Sequence, residues 1–194
     1  MDLTEHRVDG RELFKGHFLH ALCDQVRLPD GRVAEREYVV HPGAVMVVPL
    51  LERAGGVLEV VLERQYRYPV QRTLIEFPAG KLDAGESPLD CARRELREET
   101  GYTARQWARA GLLHPVVAYS TEVIEIWFAR ELHGGARQLD EGEFLEVFSA
   151  TPAQLHDWCR SGAVTDAKTL VGALWLHNVL GGAWTLDWRA DSDT

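Results

Sequence analysis

The stretch that most limits what this chain can become is Gly80-Lys-Leu-Asp-Ala-Gly-Glu86-Ser-Pro-Leu-Asp-Cys-Ala-Arg-Arg94-Glu95-Leu-Arg-Glu98-Glu99-Thr-Gly101-Tyr102. Ser87 is a good N-cap, Pro88 takes the first helical position where its missing N–H costs nothing, and Asp90 lies near the positive end of the helix dipole. Gly101 ends the helix as its C′ residue. Leu89, Ala92 and Leu96 recur at three and four residues and give an apolar stripe to set against a sheet. Glu95, Glu98 and Glu99 are spaced so that their carboxylates leave one strip of helix surface. Like charges so placed repel, and a divalent cation held by oxygens turns that repulsion into attraction. Mg²⁺, with Mn²⁺ as a substitute, suits these hard donors. Arg94 leaves in another direction and is placed to pair with Glu86, orienting the loop before the helix.

By itself, Arg-Arg-Glu-Leu-Arg-Glu-Glu is what a solvated helix face looks like. The wider spacing changes that reading: Gly80, five residues, Glu86, seven residues, Arg94-Glu95, an apolar residue, any residue, Glu98-Glu99, any residue, Gly101, an apolar residue. Seven fixed positions at background frequencies of roughly 5–10% each coincide at a given start about once in 10⁸. These residues resemble, at every defining position, the Nudix box of the Nudix hydrolase family. The resemblance implies an α/β fold, an α/β/α sandwich with a mixed sheet, in which the box is loop, helix and loop. It implies hydrolysis of nucleoside diphosphates linked to another moiety. Glu95 and Glu99 are then the main metal ligands, Glu98 a further one and the Ala79 carbonyl a backbone ligand, with Glu98, Glu99 and Arg94 in the catalytic set.

Upstream, Glu63-Arg-Gln-Tyr-Arg67-Tyr-Pro69 and Glu76-Phe-Pro-Ala-Gly80 are similar to the ADP-ribose and ADP-sugar pyrophosphatase branch. In that likeness Arg67 contacts substrate phosphate, since its planar fork matches phosphate oxygens. Arg36 reaches the nucleotide from a partner subunit in a homodimer with exchanged N-terminal strands, and His17 and Phe18 lie where an aromatic sits beside the base. A core role is the other reading of Phe18. Leu139-Asp-Glu141-Gly-Glu143-Phe-Leu-Glu146 reads by composition as a solvated loop; the likeness makes Glu141 and Glu143 candidates for general base or supplementary ligand, without separating them. Ser120-Thr-Glu122 matches a substrate-binding element of the branch, although Val116 to Tyr119 precede it where a proline and glycine are usual. ADP-ribose is the expected substrate, cleaved to AMP and a sugar phosphate. GDP-mannose or another nucleoside diphosphate sugar is the alternative, followed by a silent module that only binds a sugar nucleotide.

A formal net charge of -9 argues against a general nucleic-acid binder, because phosphate backbones are held largely by lysine and arginine. Its mismatch with an anionic substrate is resolved if bound cations invert the local charge. Cys23, Cys91 and Cys159 show no zinc spacing and read as reduced thiols. No stretch approaches the roughly 20 apolar residues that span a bilayer, and no early segment joins a basic start to a long apolar run. The expectation is a soluble, cytoplasmic protein.

Gly43 to Val48, Val57 to Leu62 and Val123 to Phe128 read as strands, the first two joined by the turn Arg53-Ala-Gly-Gly56. Phe18 to Val26 and Val33 to Val40 flank Pro29-Asp-Gly-Arg32 and form a small antiparallel unit that needs something to pack on. Helices are expected after Ser87, over Pro152 to Arg160 with Thr151 as N-cap, and over Ala167 to Leu180. The divisions that follow are an N-terminal unit over 1–42, a hydrolase domain over 43–187 and a loose tail over 188–194.

Overall fold

A computed structural model describes residues 1–139 and 142–191. They pack as two compact units, one made of Met1–Gly43 with His114–Val123, the other of Ala44–Leu113 with the chain from Ile124 onward.

The first unit is an antiparallel meander of β1 (His6–Lys15), β2 (His20–Arg27) and β3 (Val33–Val40). The β2–β3 turn is the expected Pro-Asp-Gly turn, with Leu28 N–H bonded to the Arg32 carbonyl at 2.8 Å and Gly31 at φ 87°. β1 was not expected, because its side chains are exposed almost throughout and carry no apolar alternation. Pairing with β2 and the Arg7–Asp24 ion pair at 3.0 Å hold it instead. The unit also draws on chain well beyond residue 42: Val39 N–H bonds the Tyr119 carbonyl and Thr121 N–H bonds that of Val39, at 2.8 and 3.0 Å.

The second unit is built on β4 (Ala44–Glu52), β5 (Leu58–Arg67), β6 (Arg72–Glu76), β7 (Ala79–Lys81), α1 (Pro88–Thr100), β8 (Tyr102–Leu113), β9 (Ile124–Gly134), β10 (Leu145–Ala150), α2 (Pro152–Ser161), α3 (Ala167–Leu180) and β11 (Arg189–Ala190). Its sheet runs β10-β5-β4-β9-β8-β11, with β6 added to β5 and β7 to β4. β4 and β9 are parallel and the other pairs antiparallel, so the sheet is mixed.

β4 shows why three layers form. Successive side chains of a strand face opposite ways. Met46, Val48 and Leu50 pack with Leu155 of α2 and Leu176 of α3, whereas Val45 and Val47 pack with Cys91, Ala92 and Leu96 of α1. One helix therefore covers one face and two cover the other, which is the α/β/α sandwich. Gly172 lets α3 approach closely, since a Cβ there would stand 2.7 Å from Met46 Cε.

Two elements correct the reading of the sequence. β8 is a twelve-residue strand in Ala- and Arg-rich chain; its pairing with β9 and burial of Ala104, Trp107 and Ala108 outweigh weak strand propensity. The tail is not loose from residue 188: Arg189 and Ala190 pair with Trp107 and Gln106 on β8, and Asp191 forms an ion pair with Arg93. An open sheet edge offers unpaired backbone groups, and this segment takes them up. Residues 192–194 lie outside the described residues.

Candidate active site

The site is assembled around α1. Ser87 accepts a hydrogen bond from Asp90 N–H, Pro88 opens the helix, and Gly101 closes it at φ 76° with its N–H on the Arg97 carbonyl. The buried residues Cys91, Ala92 and Leu96 fix the helix on the sheet, and Glu95 and Glu99, on the same i, i+4 row as Cys91, are thereby carried to β7. Lys81, at the end of β7, accepts from Arg94 Nη2 at 3.1 Å, tying strand to helix.

Arg94 organises the loop between them. Its Nε and Nη2 each donate to Glu86 at 2.9 Å, while Nη1 donates to Glu95 at 2.7 Å and to Glu98 at 3.2 Å. The guanidinium holds the Glu86 carboxyl down at about 2. Glu86 in turn accepts from Asp83 N–H at 3.0 Å, which closes the loop.

The three box glutamates do not share one environment. Glu95 and Glu99, one turn apart, face inward with little exposure, whereas the Glu98 side chain is 24% exposed and lies against Arg94 and Arg97. Glu99 Oε2 accepts from Ala79 N–H at 3.0 Å. Glu95 fills the space over Gly80, where a Cβ would stand 1.8 Å from Oε1. Burial, then the charges of Glu63, Glu95 and Glu143, raise the Glu99 carboxyl well above the ordinary range. Burial also raises Glu95, and Glu98 and Glu143 add to it. Glu143 reaches this group from the chain before β10 and accepts from Gln65 Nε2 at 3.4 Å. Among the described residues no three such side chains close around a single point. The donors are hard oxygens, partly dehydrated and mutually repelling, and that is a set a divalent cation fits.

A second network adjoins on β5 and β6. Arg67 donates from Nε and Nη2 to the two oxygens of Glu76 at 2.8 Å each, and Lys168 of α3 also bonds Glu76 and stands 3.1 Å from Asp166. Burial disfavours ionisation of Glu76, but Arg67 and Lys168 outweigh it and hold the carboxyl below the ordinary range. Asp166 caps α3 by accepting from Thr169 N–H at 2.9 Å, so the network is anchored at a helix start.

Residues 40–170 match the NUDIX domain, and residues 5–39 match the nucleoside diphosphate sugar hydrolase N-terminal domain. The chain belongs to the Nudix hydrolase family. This Nudix hydrolase is 35% identical over 177 residues to an ADP-ribose pyrophosphatase of Bacillus subtilis (strain 168), covering 90% of this chain and 94% of that one. It is 40% identical over 186 residues to an ADP-ribose pyrophosphatase of Mycobacterium tuberculosis (strain ATCC 25618 / H37Rv), covering 93% and 88%. A crystal structure described as an ADP compounds hydrolase superposes with a TM-score of 0.82 at 21% identity, over 94% of this chain and 98% of that one, and shows the same fold.

In this Nudix hydrolase the structure gathers Ala79, Arg94, Glu95, Glu98, Glu99 and Glu143 around α1, and places Arg67 on the adjoining network. Glu141 lies outside the described residues. Arg36, Phe18 and Glu122 belong to the first unit. There Arg36 donates to both oxygens of Glu5 at 2.9 and 2.5 Å, and Glu122 lies 3.9 Å from His41 Nε2. Phe18 is 53% exposed and meets the His41 ring edge-on, so its core reading is not what forms. Sequence reasoning passed over Glu63, Glu76 and Lys168. Glu63 and Glu76 stood there only within the two upstream stretches, with no role of their own, and Lys168 carried no signal. No helix is long and apolar enough to cross a membrane among the described residues.

Proposed function

We propose that this protein hydrolyses the pyrophosphate bond of ADP-ribose, or a closely related ADP-sugar, to AMP and a sugar phosphate, with Mg²⁺ as the working cation. The observation that carries the cation part is the burial of Glu95 and Glu99 against Gly80 and Ala79, which raises both carboxyls. The substrate part is supported by two bacterial relatives, each matched over most of both chains and each described as an ADP-ribose pyrophosphatase.

Bound divalent cations supply neutralisation of the diphosphate and polarisation of phosphorus. Glu95, Glu99, Glu98 and the Ala79 carbonyl hold them. Arg94 restrains Glu95 and Glu98 from one side. Glu143 or Glu141 takes the proton of the attacking water. Arg67 turns toward substrate phosphate while Lys168 keeps Glu76 compensated. Arg36 comes from the partner of a homodimer, and Phe18 and Glu122 contact the nucleotide.

The test is product analysis of purified protein with Mg²⁺ against ADP-ribose, ADP-glucose, GDP-mannose and diadenosine polyphosphates, beside Glu99→Gln. Metal-dependent release of AMP from ADP-ribose, nearly abolished in a folded Glu99→Gln variant, is expected. Turnover confined to another substrate overturns the ADP-ribose assignment, and near-normal activity of the variant overturns the role of Glu99.

A further inference from the structure

Glu63 is wholly buried, at 0% exposure, and neither of its carboxylate oxygens has a hydrogen-bond partner. A buried ionised carboxylate without a counter-charge costs several kcal/mol, so such a group is normally paired or bound to a metal. The nearby cations are engaged elsewhere: Arg67 gives its fork to Glu76, and Lys168 bonds Glu76 and pairs with Asp166.

Strand geometry fixes where Glu63 looks. It sits on β5 directly opposite Glu76 on β6 and Val147 on β10. Residues two apart on a strand share a face, so Glu63 shares its face with Gln65, which bonds Glu143, and with Arg67, which bonds Glu76. From Glu76 the chain runs on through Phe77 and Pro78 to Ala79, whose N–H bonds Glu99, so Glu63 adjoins both the Arg67–Glu76–Lys168 network and the segment that meets the box carboxylates.

We propose that Glu63 is a further ligand of the divalent cation site, a carboxylate supplied by the sheet from the side opposite α1. This rests on the cation-binding reading of Glu95 and Glu99. It explains why a sheet strand carries an unpartnered carboxylate at a position where an apolar side chain would pack without cost. It also makes the site deeper than the box alone, since a ligand from β5 fixes the cation against the sheet as well as the helix.

The test uses the full chain, with Mn²⁺ binding followed by calorimetry and by electron paramagnetic resonance, and melting temperature in EDTA and in Mg²⁺. The variants are Glu63→Gln, Glu63→Val and Glu99→Gln. The expected result is at least a tenfold loss of Mn²⁺ affinity, or one fewer Mn²⁺ per chain, in a Glu63 variant that melts no lower than wild type in EDTA and gains less from Mg²⁺. Wild-type affinity and stoichiometry in a folded Glu63 variant, with binding weakened in Glu99→Gln, overturns this proposal alone. Unchanged binding in Glu99→Gln overturns the cation site itself. Failure of both Glu63 variants to fold also overturns the proposal, which requires the metal-free protein to be relieved by loss of this charge.

Discussion

Arg94 grips Glu86 through two bonds of 2.9 Å, one to each carboxylate oxygen, and the same guanidinium touches Glu95 and Glu98. The pair holds Glu86 at about 2, below its ordinary 4.5. A depressed carboxyl lends stability that is present above the unfolded value and is lost as pH falls through the folded one. Glu86→Gln is therefore expected to cost about 1–2 kcal/mol at neutral pH. Urea unfolding of both proteins should show the difference closing between the ordinary carboxylate range and about pH 2; a gap that persists in acid would assign the loss to packing instead.

The buried carboxylates have the opposite sign. Burial, then the Glu76 charge, push Glu63 up to about 8, and Glu95 and Glu99 are raised as well. A raised carboxyl stabilises the fold at low pH, and that contribution drains away as pH climbs through the folded value. In EDTA the melting temperature is expected to fall from the ordinary carboxylate range toward pH 8 and above, and added Mg²⁺ is expected to flatten the slope. A melting temperature in EDTA that does not respond between pH 5 and 8 contradicts the burial of these charges.

Gly80→Ala puts a methyl group where Glu95 Oε1 now lies, 1.8 Å away. The backbone there is ordinary extended strand, so the fold survives and Glu95 must turn aside. The expected outcome is a drop in Mn²⁺ affinity of roughly tenfold or more, as for disturbed ligand orientation, with far-ultraviolet circular dichroism unchanged. Unaltered affinity would show that Glu95 has another rotamer equally able to bind.

Arg67→Met removes both bonds to a carboxylate that is 1% exposed, leaving Lys168 as the cation on Glu76. Stability is expected to fall by about 2 kcal/mol, less than for a fully orphaned buried charge. The KM for ADP-ribose is expected to rise if Arg67 also reaches phosphate. Chemical denaturation and steady-state kinetics separate these two effects, and an unchanged denaturation midpoint would remove Arg67 as the anchor of Glu76.

What could be read from the sequence follows the range of the forces involved. The box helix was legible residue by residue because its cap, apolar stripe and stop are local, and α2 and α3 had equally local caps at Thr151 and Asp166. β8 was not, since Tyr-Thr-Ala-Arg-Gln-Trp-Ala-Arg becomes a strand only beside β9. The division among the glutamates came from the resemblance, which made Glu95 and Glu99 the main ligands and Glu98 a further one, and not from spacing. Spacing alone groups Glu95, Glu98 and Glu99; in the fold Glu98 lies against Arg94 and Arg97, while Gly80 and Ala79 of β7 receive the other two. The burial of Glu63 could not be read from the stretch that contains it, because its depth comes from two neighbouring strands, one of them β10 over eighty residues away.

β4 pairs along part of its length with β7, which carries Ala79 and Gly80, with β5, which carries Glu63, and in parallel with β9. A parallel partner cannot arrive by a hairpin; it needs a crossover, and here the crossover contains α1 and β8. As the protein leaves the ribosome, the central strand consequently stays open on one edge until residues up to Gly134 have emerged. A chain stalled before that point presents the unpaired backbone of a strand whose side chains are apolar from Val45 to Leu51, an edge on which another chain can add.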